Sequence, residues 1–172
     1  MRILVACEYS GVVRDAFIRG GHTAMSCDLL PTDAPGPHYQ GDVSDVIADG
    51  WDMMIAHPPC TYLSVSGMHW TTRGLRDPKL TEDALAFVQS LMDAPIKKIA
   101  LENPVSIIST RIRKPDQIIQ PWQHGHGETK ATCLWLQNLP PLVPTNDVTE
   151  IMKSLPKREA QRIHYMPPSP DR

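Results

Sequence analysis

No stretch of this 172-residue chain stays apolar for the roughly 20 residues that a membrane span requires, and the N-terminus MRILVACEYS turns polar at Glu8. The expectation is a soluble, unsecreted, cytoplasmic protein with no membrane contact. There is no excess of positive charge: 17 Lys and Arg stand against 19 Asp and Glu, for a net charge of −2. No global basic field draws the chain onto a polyanion, so any nucleic-acid binding is local. Cysteine pairs are missing too. Cys7, Cys27, Cys60 and Cys133 lie far apart with no C-x-x-C, which excludes a zinc ribbon or a disulfide framework and suits free thiols in a reducing compartment. Internal repeats are absent. Proline, in contrast, is abundant: there are 17, concentrated at Pro31–Pro37, Pro58–Pro59, Pro140–Pro144 and Pro167–Pro170, where helices and inner strands cannot continue. With 41% hydrophobic and 21% charged residues, the chain affords one packed core, and residues 1–172 read as one domain.

What is present reads as alternating strands and helices. Ile3–Cys7 is a β-prone run, followed by a turn, Glu8-Tyr9-Ser10-Gly11, and then by Val12, Val13, Ala16 and Phe17 at helical spacing. Gly20-Gly21 ends that helix, Thr23–Cys27 is a second strand, and Asp28 stands at its end. Leu30–Gln40 reads as a loop leading to Gly41-Asp42-Val43. Trp51–Ala56 is a strand that delivers His57-Pro58-Pro59-Cys60. Lys79–Met92 has the helical period, and Ile96–Leu101 is a strand ending at Glu102-Asn103-Pro104. Thr132–Leu136 reads as a further strand, Asn138–Asn146 as a loop, and Pro156–His164 as a short helix. This pattern predicts an α/β fold, a mostly parallel sheet with helices on both faces and a site at the strands' carboxyl ends.

Two segments carry the chemistry. In IAHPPCTYLSVSG, residues 55–67, Cys60 follows two prolines in a stiff loop rich in hydroxyls, the setting of a nucleophile. A free cysteine is usually a small buried hydrophobe, and Cys7, Cys27 and Cys133 are read that way. In ALENPVS, residues 100–106, Glu102 either caps a helix beginning near Pro104 or serves catalysis. Ends of neighbouring parallel strands lie about 5 Å apart, so Cys60 and Glu102 can address one small molecule. The first turn lacks G-x-G-x-x-G, which argues against a pyrophosphate cradle but admits a nucleoside. Asp28 and Asp42 suit a ribose and an adenine amino group, or are turn residues. His124, His126, Glu128 and Cys133 match no metal spacing, and no metal is assigned; the His-Gly-His turn reads as a surface or substrate loop, beside which Lys130 and Thr132 are either phosphate contacts or solvated. Trp70, with Arg73 and Arg76, either stacks on a base or covers the site, or is a half-buried side chain beside surface charge.

These residues resemble the S-adenosylmethionine-dependent cytosine-C5 DNA methyltransferases. That family has a first turn D-L-F-x-G-x-G-G, an acid after the second strand, an aspartate after the third, a P-C-Q-x-[FL]-S loop and an E-N-[VP] loop. Their counterparts here are Cys7-Glu8-Tyr9-Ser10-Gly11, Asp28, Asp42, Pro59-Cys60-Thr61-Tyr62-Leu63-Ser64 and Glu102-Asn103-Pro104, in the same order. Leu155–Ile163 is similar to the family's late L-T-x-R-E-A-A-R-L segment. The chain also looks like the compact versions predicted in bacteriophage genomes. It departs from the pattern where Cys7 takes the place of the first-turn acid and Val12-Val13-Arg14 that of the later glycines. Arg111-x-Arg113 answers the family's Arg-x-Arg element at a shorter distance from Glu102. The sequence stops at Arg172, where the family's last cofactor-contacting helix would come next, which implies a pocket completed otherwise or a weak affinity.

The resemblance implies a class I methyltransferase fold and methyl transfer to C5 of cytosine. Cys60 is implied as the nucleophile and Glu102 as the acid at N3. Glu8, Tyr9, Ser10, Gly11, Asp28, Asp42 and Pro58 are implied to bind S-adenosylmethionine, and Pro59, Ser64, Asn103, Arg111 and Arg113 the substrate. The stretch from Lys114 to Ser154 is too short for the family's target-recognition domain, so sequence specificity is low or comes from a partner chain. The substrate is cytosine in DNA or, alternatively, a free deoxycytidine nucleotide. An amino-methyltransferase would place D/N-P-P-Y/F/W where His57-Pro58-Pro59-Cys60 stands, and that rival is disfavoured. A binding module with an impaired cofactor pocket is the non-enzymatic rival.

Overall fold

A computed structural model describes residues 1–166, and the proline cluster 167–170 lies outside the described residues. Seven strands form one sheet: β1 (Arg2–Ala6), β2 (Thr23–Asp28), β3 (His38–Gln40), β4 (Met53–Ala56), β5 (Lys98–Pro104), β6 (Gln117–Ile119) and β7 (Thr132–Gln137). Their order is β3-β2-β1-β4-β5-β7-β6. The first five are parallel, and β7 runs antiparallel to both β5 and β6. Strand order therefore reverses between β1 and β4, the position at which open α/β sheets part to admit a ligand beyond their carboxyl ends.

The alternation within β1 explains why both faces are covered. Ile3 and Val5 join Ala24 and pack against Val13 and Phe17 of helix α1 (Val12–Arg19). Leu4 and Ala6 face the opposite way, into the main core with Met54, Ala56, Ile99, Leu101 and Trp135. That second face is closed by Leu85, Val88 and Leu91 of α3 (Pro78–Met92), one stripe at helical spacing. The helix starts where its sequence says it should: the Asp77 side chain accepts from the Lys79 amide at 2.9 Å, and Pro78 holds the first turn.

Several elements differ from the sequence reading. Within the expected loop Leu30–Gln40, residues 38–40 form β3, held by its pairing with Ser26–Asp28. Strand β5 begins at Lys98 instead of Ile96 and runs through Glu102-Asn103-Pro104, because β7 supplies a partner for those residues: Glu102 faces Leu134, Asn103 faces Cys133 and Pro104 faces Thr132. Helix α2 (Val65–Thr72) comes after the Cys60 loop, with no buried residue to give it an apolar stripe. Short α4 (Ile108–Arg111), β6 and α5 (Thr149–Ser154) lack a readable period. The expected helix Pro156–His164 is two single turns, α6 (Lys157–Ala160) and α7 (Arg162–Tyr165), broken at Gln161. Among the described residues no helix is long and apolar enough to cross a membrane.

Leu91 is fully buried between α3 and the sheet. Leu91→Ala is expected to cost about 2–5 kcal/mol of unfolding free energy. Urea unfolding should then show a lower midpoint with an unchanged slope.

Candidate functional site

At the carboxyl ends of β1, β2 and β4 lies a cavity of about 200 Å³ lined by Cys7, Cys27, Asp28, Leu29, Gly41, Asp42, Val43, Pro59 and Phe87. Two carboxylates, Asp28 and Asp42, stand among otherwise mainly apolar groups. Asp28 ends β2 and accepts from the Leu30 amide at 3.0 Å. Asp42 caps the turn Val43–Asp45, and its hydrogen bonds from Ser44 hold its carboxyl below the usual range. Cys7 takes a left-handed backbone (φ 58°) as the chain leaves β1. Burial first, then the negative charge of Asp28, pushes its thiol up to about 12; the same causes push Cys27 up to about 11. Neither is a nucleophile at neutral pH, which agrees with reading both as structural.

The first turn serves α1 itself. Glu8 is buried, and its Oε1 accepts from the Val13 amide at 2.7 Å and from Ser10 Oγ at 3.1 Å, while Oε2 accepts from the Arg14 amide at 3.3 Å. These are amides at the start of a helix, the groups to which an anionic ligand would otherwise bind. Glu8 therefore caps α1 from three residues before its N-cap, and Tyr9, Ser10 and Gly11 do not line the cavity. Gly11 has φ 75°, and a Cβ there would stand 2.4 Å from the Arg14 guanidinium. Sequence reasoning missed the reason. Arg14 is fully buried and donates to Ser26 Oγ, Thr32 Oγ1 and the carbonyls of Ala34 and Pro35, at 3.1–3.3 Å, pairing with Asp15 at 2.8 Å. It fastens the loop between β2 and β3 beside the turn that ends β1.

The Cys60 loop is tied down from several sides. The Asn103 side chain, buried at the end of β5, donates to the Pro58 carbonyl at 2.8 Å. The Cys60 carbonyl accepts from the amides of Leu63 and Ser64, closing a turn. Ile107 donates to the Leu63 carbonyl at 3.0 Å, Thr81 of α3 to that of Tyr62 at 3.2 Å, and Arg76 to that of Thr61 at 3.0 Å. Arg76 also lies 5.1 Å over the Tyr62 ring. Ser64 caps α2 by accepting from the Gly67 amide at 3.1 Å. At Gly67 a Cβ would meet the Thr61 carbonyl oxygen at 2.1 Å, so only glycine lets α2 approach the loop. Cys60 itself is part-exposed.

The pairing of β4 with β5 sets Ala56 beside Leu101. One residue further on, His57 Nδ1 and Glu102 Oε2 are 3.4 Å apart. The sequence motifs mark His57 only as a departure from the amino-methyltransferase pattern; its parity with Glu102, each one step past a strand partner, is the signal that would have found it.

Other assigned residues are engaged elsewhere. Arg111 pairs with Glu82 at 2.8 Å, and Arg113 with Asp116 at 2.8 Å and with the Leu136 carbonyl. Pro59, assigned to the substrate, lines the cavity, whereas Pro58, assigned to the cofactor, is buried and holds Asn103 through its carbonyl. Trp70 is half exposed on α2, in edge contact with His69. His124 bonds Thr145, Glu128 pairs with Arg162, and Cys133 lies in the core; among the described residues no metal cluster forms.

The strand order, the single reversal at β1 and β4 and the antiparallel β7 between β5 and β6 define a class I methyltransferase fold, α/β with a mostly parallel sheet. Among solved structures it is similar to the crystal structure of the S. pombe Dnmt2 methyltransferase, with a TM-score of 0.54 and 13% sequence identity. The match covers 89% of this chain and 54% of that one, so this chain spans about half the length of that structure. No protein-family model matches the chain, and no curated protein matches it.

Arg14→Met strips five acceptors of their buried donor and is expected to lower stability by about 2 kcal/mol or more, read by denaturant unfolding. Because only the thiolate reacts, alkylation of Cys7 should rise about tenfold per pH unit from pH 8 to 11 without levelling, which mass-mapped iodoacetamide labelling measures.

Proposed function

We propose that this protein transfers a methyl group from S-adenosylmethionine to C5 of cytosine through a covalent adduct on Cys60. The observation that carries the reading is the convergence of the Cys60 loop with Glu102 beside the cavity: Asn103, next to Glu102 on β5, grips the Pro58 carbonyl, and Pro59 lines the cavity. C5 of cytosine is a poor nucleophile, and attack of the Cys60 thiolate at C6 makes it enamine-like. Glu102 meets N3 and supplies the proton that stabilises the adduct. Asn103 orients the loop. The cofactor, when bound, offers a methyl group on a sulfonium; Asp28 and Asp42 would hold its nucleoside, with Val43 and Phe87 against the base. The amides at the start of α1 are taken by Glu8, so its amino-acid end is bound by other groups.

The substrate in this reading is cytosine in DNA, flipped out of any duplex. A second reading, a free deoxycytidine nucleotide, is favoured by one observation. The stretch between the Arg111-x-Arg113 element and Ser154 is spent on β6, β7 and α5, which leaves no separate module to read base edges. On DNA, specificity would then be low or come from a partner chain, as in a compact, phage-type enzyme.

The decisive assay is mass spectrometry after incubation with S-adenosylmethionine and an oligonucleotide carrying 5-fluorocytosine, whose fluorine cannot leave as the proton does. An adduct mapped to Cys60 is expected, and Cys60→Ser should abolish it while preserving the fold. An adduct only with the fluorinated free nucleotide selects the second substrate, and none with either overturns the reading. Glu102→Gln is expected to slow adduct formation about 10²–10⁴-fold.

A further inference from the structure

We infer that His57 and Glu102 act as a proton-sharing pair, in which the His57 ring reloads the Glu102 carboxyl that protonates the base. The inference rests on the cytosine reading for its chemistry and on the structure for its geometry. His57 stands on the first residue past β4 and Glu102 on β5 at the next register level, with Nδ1 and Oε2 3.4 Å apart. Contacts between catalytic groups are often this long before substrate binds. Both side chains are a little under one-third exposed, so the pair opens toward solvent without lying free in water. The His57 amide is anchored to the Ala6 carbonyl at 3.0 Å, which fixes where its ring begins. Its Nε2 is buried without a partner among the described residues, so the hydrogen bond that orients the ring is the one at Nδ1.

Besides His57, no basic side chain pairs with Glu102 among the described residues, and Arg111 and Arg113 are spent on Glu82 and Asp116. Cys133, across from Asn103 on β7, is pushed up by burial and then by Glu102. Cys60 lies on His57's own loop. At the end of β1, Cys7 is coupled to Asp28 and Asp42, and Glu8 is committed to α1.

The role comes from ordinary acid strengths. A lone carboxyl is almost wholly ionised at pH 7, and a general acid must hold a proton there. The Cys60 thiol gives its proton to water, and its sulfur bonds C6 as the C5=C6 pair moves through C4 to N3. N3 then takes the Glu102 proton, and Oε2 takes the Nδ1 proton of the His57 imidazolium. Once C5 carries its methyl, with the pair of the broken S–CH3 bond left on the donor sulfur, C5 loses its proton to water, and the S–C6 bond breaks to give a thiolate that retakes a proton from water. N3 returns its proton to Glu102, and Glu102 returns one to His57.

The test is the pH dependence of single-turnover adduct formation with 5-fluorocytosine DNA or nucleotide. In His57→Gln the high-pH fall in rate should begin at least one pH unit lower than in the wild-type protein, with thermal melting intact; His57→Asn replaces it if Gln does not fold. Superimposable profiles, or an equal loss at every pH, overturn the shared proton. Should the wild-type protein form no adduct at all, the cytosine reading falls, and the pair is judged by nitrogen-15 NMR instead. A protected His57 Nδ1 proton that vanishes in Glu102→Ala supports it, and one that persists there overturns it.

Discussion

The parallel pairing of β4 with β5 is the constraint on which the candidate site depends. With Ala56 held beside Leu101, the two chains leave the sheet together, and the residues just past one strand meet those just past the other. His57 meets Glu102, and Asn103 reaches the Pro58 carbonyl. Strand β7, on the other side of β5, carries regular backbone hydrogen bonding out to Pro104, which gives Glu102 and Asn103 the stiffness of a strand. A one-residue slip would turn both side chains to the opposite face and undo the arrangement.

A second constraint works at the first turn, between β1 and α1. In a first turn with one glycine, the amides of α1 are satisfied internally by Glu8, and the loop from β2 to β3 is tied by Arg14. A buried guanidinium is costly unless its donors are nearly all used, and here they are shared among two hydroxyls, two carbonyls and a carboxylate. The result is a first turn and a β2–β3 loop held by polar bonds, where a glycine-rich turn would instead leave its amides open. The acceptors that line the cavity are therefore Asp28 and Asp42, while Glu8, outside that lining, is committed to α1.

Much was legible from residue order. The buried runs before Glu8, Asp28, His57 and Glu102, and the helical stripe of α3, have strong periods, and their structure obeys them. The short elements were not legible. Strand β3 exists because β2 offers an edge, α2 because the Cys60 loop ends in a Ser64 cap, and β6 because β7 lies beside it; none carries a period of its own. The Arg-x-Arg match illustrates the same limit, since two arginines at a suggestive spacing found carboxylates closer to hand in Glu82 and Asp116.

By itself the sequence determined the α/β alternation, the strand ends at which polar residues gather, and the candidacy of Cys60 and Glu102. Such features depend on local periodicity and on proline, which act over a few residues. Only the tertiary structure decided that Glu8 caps a helix, that Arg14 is buried, and that His57 and Glu102 form a pair. Those outcomes depend on strand register and on competition for hydrogen-bond partners between segments up to 45 residues apart, which no local pattern encodes.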